Sequence, residues 1–178
     1  MPTRAHERAK ILDGGIEQSL SGMSLPSVRD LVAQIRNYLL TQDADLRLRN
    51  NVYQFLKAFE SRHRTVISMG PQFDNGPQES HFRLESGSRL SFGITLSGGN
   101  GRCSLVAYRF QVNLPAGRSP AFYRFDLNDK AHDSPLHEPR CHYHPGADDV
   151  RLPCPALTPL EVLDRIFLVI EPQLLASS

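Results

Sequence analysis

Residues 137–144 hold His137, Arg140, Cys141, His142 and His144, three of the chain's seven histidines beside a guanidinium and a thiol. Imidazole titrates near neutrality and ligates metals, and a guanidinium grips phosphate or carboxylate in two-pronged fashion. On a β-strand the side chains alternate, so Arg140, His142 and His144 share one face at steps of about 6.5 to 7 Å, with Cys141 and Tyr143 on the other. The same alternation places Arg109, Gln111, Arg124 and Asp126 on the polar faces of the preceding strands. Four or five groups able to hold an anion and move protons would then meet on one surface.

Three chemistries fit those residue types. A transition metal takes a His-x-His pair, with Asp126, His132, His137 or Cys154 to complete the shell, although no second Cys or His pair at finger-like spacing exists. Alternatively, two imidazoles and an arginine cleave RNA without a metal or any cofactor: one takes the 2′-hydroxyl proton, the other protonates the leaving 5′-oxygen, and the guanidinium steadies the phosphate. The third reading is a polar sheet face whose histidines bond locally or meet another chain. In the acid–base reading His142, His144 and Arg140 are the catalytic candidates with His137 as a fourth, Arg109 and Arg124 bind substrate, and no residue is assigned to a metal. Pro135 and Pro139 bracket His137 and put it in a rigid loop. His6, His63, His81 and His132 have no comparable partners, and Cys141 and Cys154 read as small buried apolar groups.

The elements that must position these residues follow from hydrophobic period. Residues 1–24 read as a loose leader before a single α+β domain over 25–178. Val28, Leu31, Val32, Ile35 and Leu39 recur at helical spacing behind Ser27 and Asp30, which predicts a helix over 27–41. Leu46, Val52, Phe55, Leu56 and Phe59 predict a second helix from Asp43 to about 61, so that 25–62 is helical. From 65 to 153 the period is two. Leu90, Phe92, Ile94 and Leu96 alternate with small polar residues, as do Val106, Tyr108, Phe110 and Val112, and Tyr123, Phe125 and Leu127. One greasy and one polar face per strand predicts an antiparallel sheet of five or six strands, packed against the helices on one side. Thr158, Pro159 and Glu161 then open a C-terminal helix over 158–171.

Composition narrows the class. With 178 residues, 40% apolar and 22% charged, the chain has the size and mix of one folded domain. A net charge of +1 gives no global pull toward nucleic acid. No apolar run approaches the roughly 18 residues that span a bilayer, and three irregularly spaced cysteines do not suit a disulfide framework, so a cytoplasmic protein without membrane contact is expected.

The run "FYRFDLNDKAHDSPLHEPRCHYHPGADDVRLPCPALTPLEVLDRIF" has a strand bearing Asp126, a histidine before a proline-bounded loop, a His-x-His strand, an Arg-Leu-Pro step and a closing helix. In this it resembles the TumE-like toxins of bacterial toxin–antitoxin pairs, over about 75 residues from the strand near 102. The resemblance implies a prokaryotic cytoplasmic protein with action on RNA and a cognate antitoxin or other protein partner. A non-enzymatic interaction subunit of a defence complex is the other expectation.

Overall fold

The computed structural model describes residues 14–61, 64–69, 81–98, 101–130 and 139–177. The expected positions His6, His63, His132 and His137, and the Gly-Pro segment at 70–80, lie outside them.

Helix α1 (14–22) leads into α2 (Val28–Ala44), where the Ser27 hydroxyl accepts from the Asp30 backbone N–H and so satisfies one orphan donor of the first turn. Residues 14–22 are therefore not a loose leader: Ile16 is buried in the core and Leu20 packs against it. Leu31, Ile35 and Leu39 form the buried stripe of α2, as their spacing predicts.

The second expected helix does not form. α2 ends at Asp45, Leu46 takes a left-handed φ of +61°, and the Arg47 N–H turns back to the Gln42 carbonyl. A 3₁₀ turn (Val52–Phe55) and strand β1 (Lys57–Ser61) follow. The apparent stripe was a coincidence of spacing, for Val52 and Leu56 are buried while Leu46, Phe55 and Phe59 are exposed.

The remaining strands are β2 (Arg64–Met69), β3 (Phe82–Arg83), β4 (Arg89–Ser97), β5 (Ser104–Asn113), β6 (Phe122–Leu127), β7 (Cys141–His144) and β8 (Leu152–Pro153). They form one antiparallel sheet in the order β1-β2-β4-β5-β6-β7-β8, with β3 also paired to β4. The sheet thus has eight strands among the described residues, where five or six were expected. α3 (Pro159–Arg165) starts with a full capping box, Thr158 accepting from the Glu161 N–H and Glu161 accepting from the Thr158 N–H. It runs through a π-helical turn (Ile166–Ile170) into α4 (Glu171–Ala176).

The two sheet faces differ as alternation requires. Ile67, Phe92, Ile94 and Phe110 point to one side, where α2 and the C-terminal helices bury Leu31, Ile35, Val162, Leu163 and Phe167 against them. Each such side chain contributes about 1.5–3 kcal/mol on leaving water, which makes this layer the main source of stability. No helix among the described residues is long and apolar enough to cross a membrane.

The opposite face carries the polar residues, and the β7–β8 connection folds back over its end. Gly146 in that connection has φ +112°, and a Cβ there would lie 2.1 Å from Pro120 Cβ. Gly146→Ala is therefore expected to cost at least about 2 kcal/mol, read as a lower urea midpoint of unfolding.

Candidate functional site

Strand register assembles the site. Arg109 pairs with Asp126 and Asp126 with His142, which makes one row across β5, β6 and β7; Gln111, Arg124 and His144 make the adjacent row. Slipping β6 by one residue would place Phe125 or Leu127 among the histidines, so the register is what creates the cluster.

Asp126 is its hub. Its carboxylate is buried, with Oδ1 accepting from Arg109 Nε at 3.0 Å and Oδ2 from Arg124 Nε at 2.7 Å. Arg124 reaches on to Asp148 at 2.6 Å and to His144 Nε2 at 2.9 Å. The two imidazoles stand against the same carboxylate oxygen, His144 Nε2 at 3.3 Å and His142 Nε2 at 3.7 Å.

Backbone carbonyls fix both tautomers. His142 Nδ1 lies 2.9 Å from the Pro139 carbonyl and His144 Nδ1 lies 3.2 Å from that of Ala147. A carbonyl only accepts, so each Nδ1 carries the proton and each neutral ring turns its Nε2 lone pair inward. At His144 that lone pair accepts from Arg124. At His142 it faces a carboxylate oxygen, acceptor against acceptor. Burial holds the His142 pKa below the usual imidazole value, with the Pro139 carbonyl and Asp126 pulling the other way. The neutral ring is thus favoured even though its lone pair meets a negative charge.

Solvent reaches this cluster only at its rim. His144 is fully enclosed and His142 is 3% exposed, so the polar face that alternation defines is closed at the histidines. The physical reason lies in the chain that flanks β7: the Pro145–Asp148 turn and the Pro139 approach cover it, and their carbonyls bind the ring nitrogens. Arg109 is the outlet, its side chain 45% exposed. It borders a shallow trough of about 270 Å³ on the polar face, lined also by Val66, Gly93, Thr95, Ala107 and Asp126.

Arg140 is turned toward other partners. Its Nε donates to the Asn128 carbonyl at 2.8 Å, its Nη2 to that of Val106 at 3.0 Å, and its Nη1 to Glu17 of α1. Preceding β7 rather than lying within it, the side chain ties α1 to the sheet, which corrects its expected grouping with the two histidines. Cys141 is buried as expected, its Sγ 3.2 Å from Cys154 Sγ. Asp126 was legible as a polar-face residue but not as the hub; Asp148 and the two carbonyls carry no spacing signal at all.

Asp126, His142 and His144 present one ligand atom each within 4.8 Å of one another. Inward lone pairs fixed by outer hydrogen bonds are what a metal ion needs. The guanidinium of Arg124, however, already brings positive charge to both Asp126 and His144, and a divalent ion would have to displace it. The donor set therefore fits a built-in cation better than a metal.

Asp126→Asn leaves two buried or half-buried guanidiniums facing an amide, and a loss of roughly 3 kcal/mol in urea unfolding is expected. The His142 shift has a definite consequence for pH. Its folded pKa is depressed, so the unfolded chain binds more protons, and stability falls as pH drops from about 6.5 toward the folded value. Urea midpoints between pH 7.5 and 5 should show that slope in the wild type and a shallower one in His142→Asn, which keeps a donor for the Pro139 carbonyl but does not titrate.

The chain matches no protein-family model, no curated protein and no solved structure.

Proposed function

We propose that the protein is a toxin-like ribonuclease or RNA-binding protein, with the trough beside Arg109 as its seat for a phosphodiester. The observation that supports this most is the convergence of two guanidiniums, two imidazoles and one carboxylate in two adjacent rows, with one of those guanidiniums half-exposed at an open trough. A guanidinium held by Asp126 through Nε keeps its two terminal nitrogens for an anion. In this reading Arg109 is the group that touches phosphate. Arg124 is a positioning residue, because it shares the Asp126 carboxylate and so fixes where that carboxylate holds Arg109.

The histidines act from behind. Their enclosure argues against both imidazoles contacting RNA directly, as simple two-histidine acid–base catalysis would require. His142 stands against the Asp126 carboxylate and His144 holds Arg124, so both are positioning residues that fix where Asp126 holds Arg109. A second reading, a non-enzymatic protein-interaction subunit of a prokaryotic defence complex, draws on the same enclosure: a sealed polar network can serve only to fix register.

Arg109→Ala and His142→Asn separate the two. The Arg109 ion pair is partly solvated, so its removal costs about 1 kcal/mol or less in stability. The RNA reading expects Arg109→Ala to weaken binding of a single-stranded oligoribonucleotide at least tenfold and His142→Asn, which loosens Asp126 behind Arg109, to lower any cleavage while leaving the thermal midpoint within a few degrees. Unchanged RNA binding by Arg109→Ala would overturn it in favour of the interaction subunit.

A further inference from the structure

The two edges of the sheet are finished differently. β8 is two residues long and ends in Pro153, with Pro155 close behind, and proline cannot donate to a neighbouring strand. β1, at the other edge, runs five residues without proline, and Lys57, Ala58, Phe59 and Glu60 are all exposed. Such an edge is a template for an added strand.

What flanks β1 indicates the strand it would take. On the helix side, Arg29 and Arg36 border a depression of about 410 Å³ floored by Val32, Ala33 and Ala58, with no acidic side chain in its lining; Lys57 borders its end from the first position of β1, although its register with Ser68 puts it on the face of Phe59. Arg36 Nη2 donates to the Leu56 carbonyl, but its Nε is buried with no hydrogen-bond acceptor. A buried donor on a charged group without an acceptor is costly, and an incoming carboxylate would satisfy it. On the other side of the edge, register places Phe59 opposite Val66, on the polar face of the sheet, where Phe59 remains 42% exposed. An added strand alternates its side chains between these two surroundings. Glu60 sits toward the far end of β1, which confines the acidic position to the Lys57–Ala58 end.

We propose that β1 and the α2 groove beside it form a docking site for an extended segment of a partner protein that alternates acidic and apolar residues. Backbone hydrogen bonds to β1 supply the affinity, the acidic side chains meet Arg29 and Arg36 with Lys57 at the groove's end, and the apolar ones cover Phe59. The groove lies on the opposite sheet face from the Arg109 trough, which Phe59 adjoins only through Val66, and the proposal stands whether or not that trough acts on RNA.

A capped Glu-Val-Glu-Val-Glu-Val peptide, with Lys-Val-Lys-Val-Lys-Val as control, tests the assignment on the full chain. Fluorescence anisotropy should show saturable binding of the acidic peptide, weakened at least tenfold by the double substitution Arg29→Glu with Lys57→Glu and by added salt. Both residues are exposed, so the variant should keep the wild-type melting temperature. Hydrogen exchange should slow at amides of 57–61 when the acidic peptide binds. Equal binding of the lysine peptide, an unaffected double variant, or protection confined to other strands would overturn the proposal. Displacement of the peptide by a short oligonucleotide would overturn it in favour of a phosphate backbone as occupant, and concentration-dependent self-association that excludes the peptide would do so in favour of a second copy of the chain.

Discussion

A single buried carboxylate organises the half of the sheet that carries the chemistry. Asp126 sits in the middle strand of three, with a guanidinium on each oxygen and two imidazoles against one of them. An unpaired carboxylate in that position would cost several kcal/mol, a large part of the 5–15 kcal/mol that holds a typical domain together. A guanidinium partner is therefore obligatory, with Arg124 remaining when Arg109 is removed, and the partners come from three strands: Arg109 from β5, Arg124 from β6 itself, the histidines from β7. Any change of register that strands Asp126 is penalised, so the same contacts that look like a site also select the pairing of β5, β6 and β7.

The polar cluster and the apolar layer divide the work. Phe92, Phe110 and the helices on the other face supply burial that fixes which face of each strand is inward but that a slip of two residues would largely keep, because aromatic and aliphatic side chains tolerate sliding better than hydrogen bonds do. The cluster supplies the specificity. Its cover, the Pro145–Asp148 turn, is held at three points: the Ala147 carbonyl on His144, Asp148 on Arg124, and Gly146 in contact range of Pro120. Sealing the histidines from water strengthens every charge interaction beneath the turn.

Period-two alternation in the sequence separates Tyr143 and Cys141 from His142 and His144, and puts Arg109, Arg124 and Asp126 on the histidines' side of the sheet; register bears this out in adjacent rows. It cannot say which strand pairs with which residue, and so cannot pick Asp126 as the hub. Nor can it foresee burial on a polar face, because the covering turn closes over β7 from outside the strand. Arg140 shows another limit: past the strand end a long side chain follows the nearest acceptors, and Glu17 with two carbonyls outweighs parity. At residues 43–61 the stripe of Leu46, Val52, Phe55, Leu56 and Phe59 fits helical spacing, but Asn50-Asn51 and the left-handed Leu46 interrupt it, and three of its five apolar residues face solvent.

Charge balance decides how the cluster can act on anything outside it. With both imidazoles neutral, Arg109 and Arg124 are offset by Asp126 and Asp148, so the cluster has no net charge and exerts little pull at a distance. Any anion it captures must be recognised at contact range, by donors whose direction is fixed. The exposed half of Arg109 meets that condition: Asp126 holds its Nε, and the planar guanidinium then aims its remaining N–H groups from a known position. The enclosed histidines cannot touch a ligand in the trough, but they keep Arg124 and Asp126 in place and through them set that aim. A domain of nearly neutral overall charge can in this way present one oriented cation without surrounding it with a basic patch.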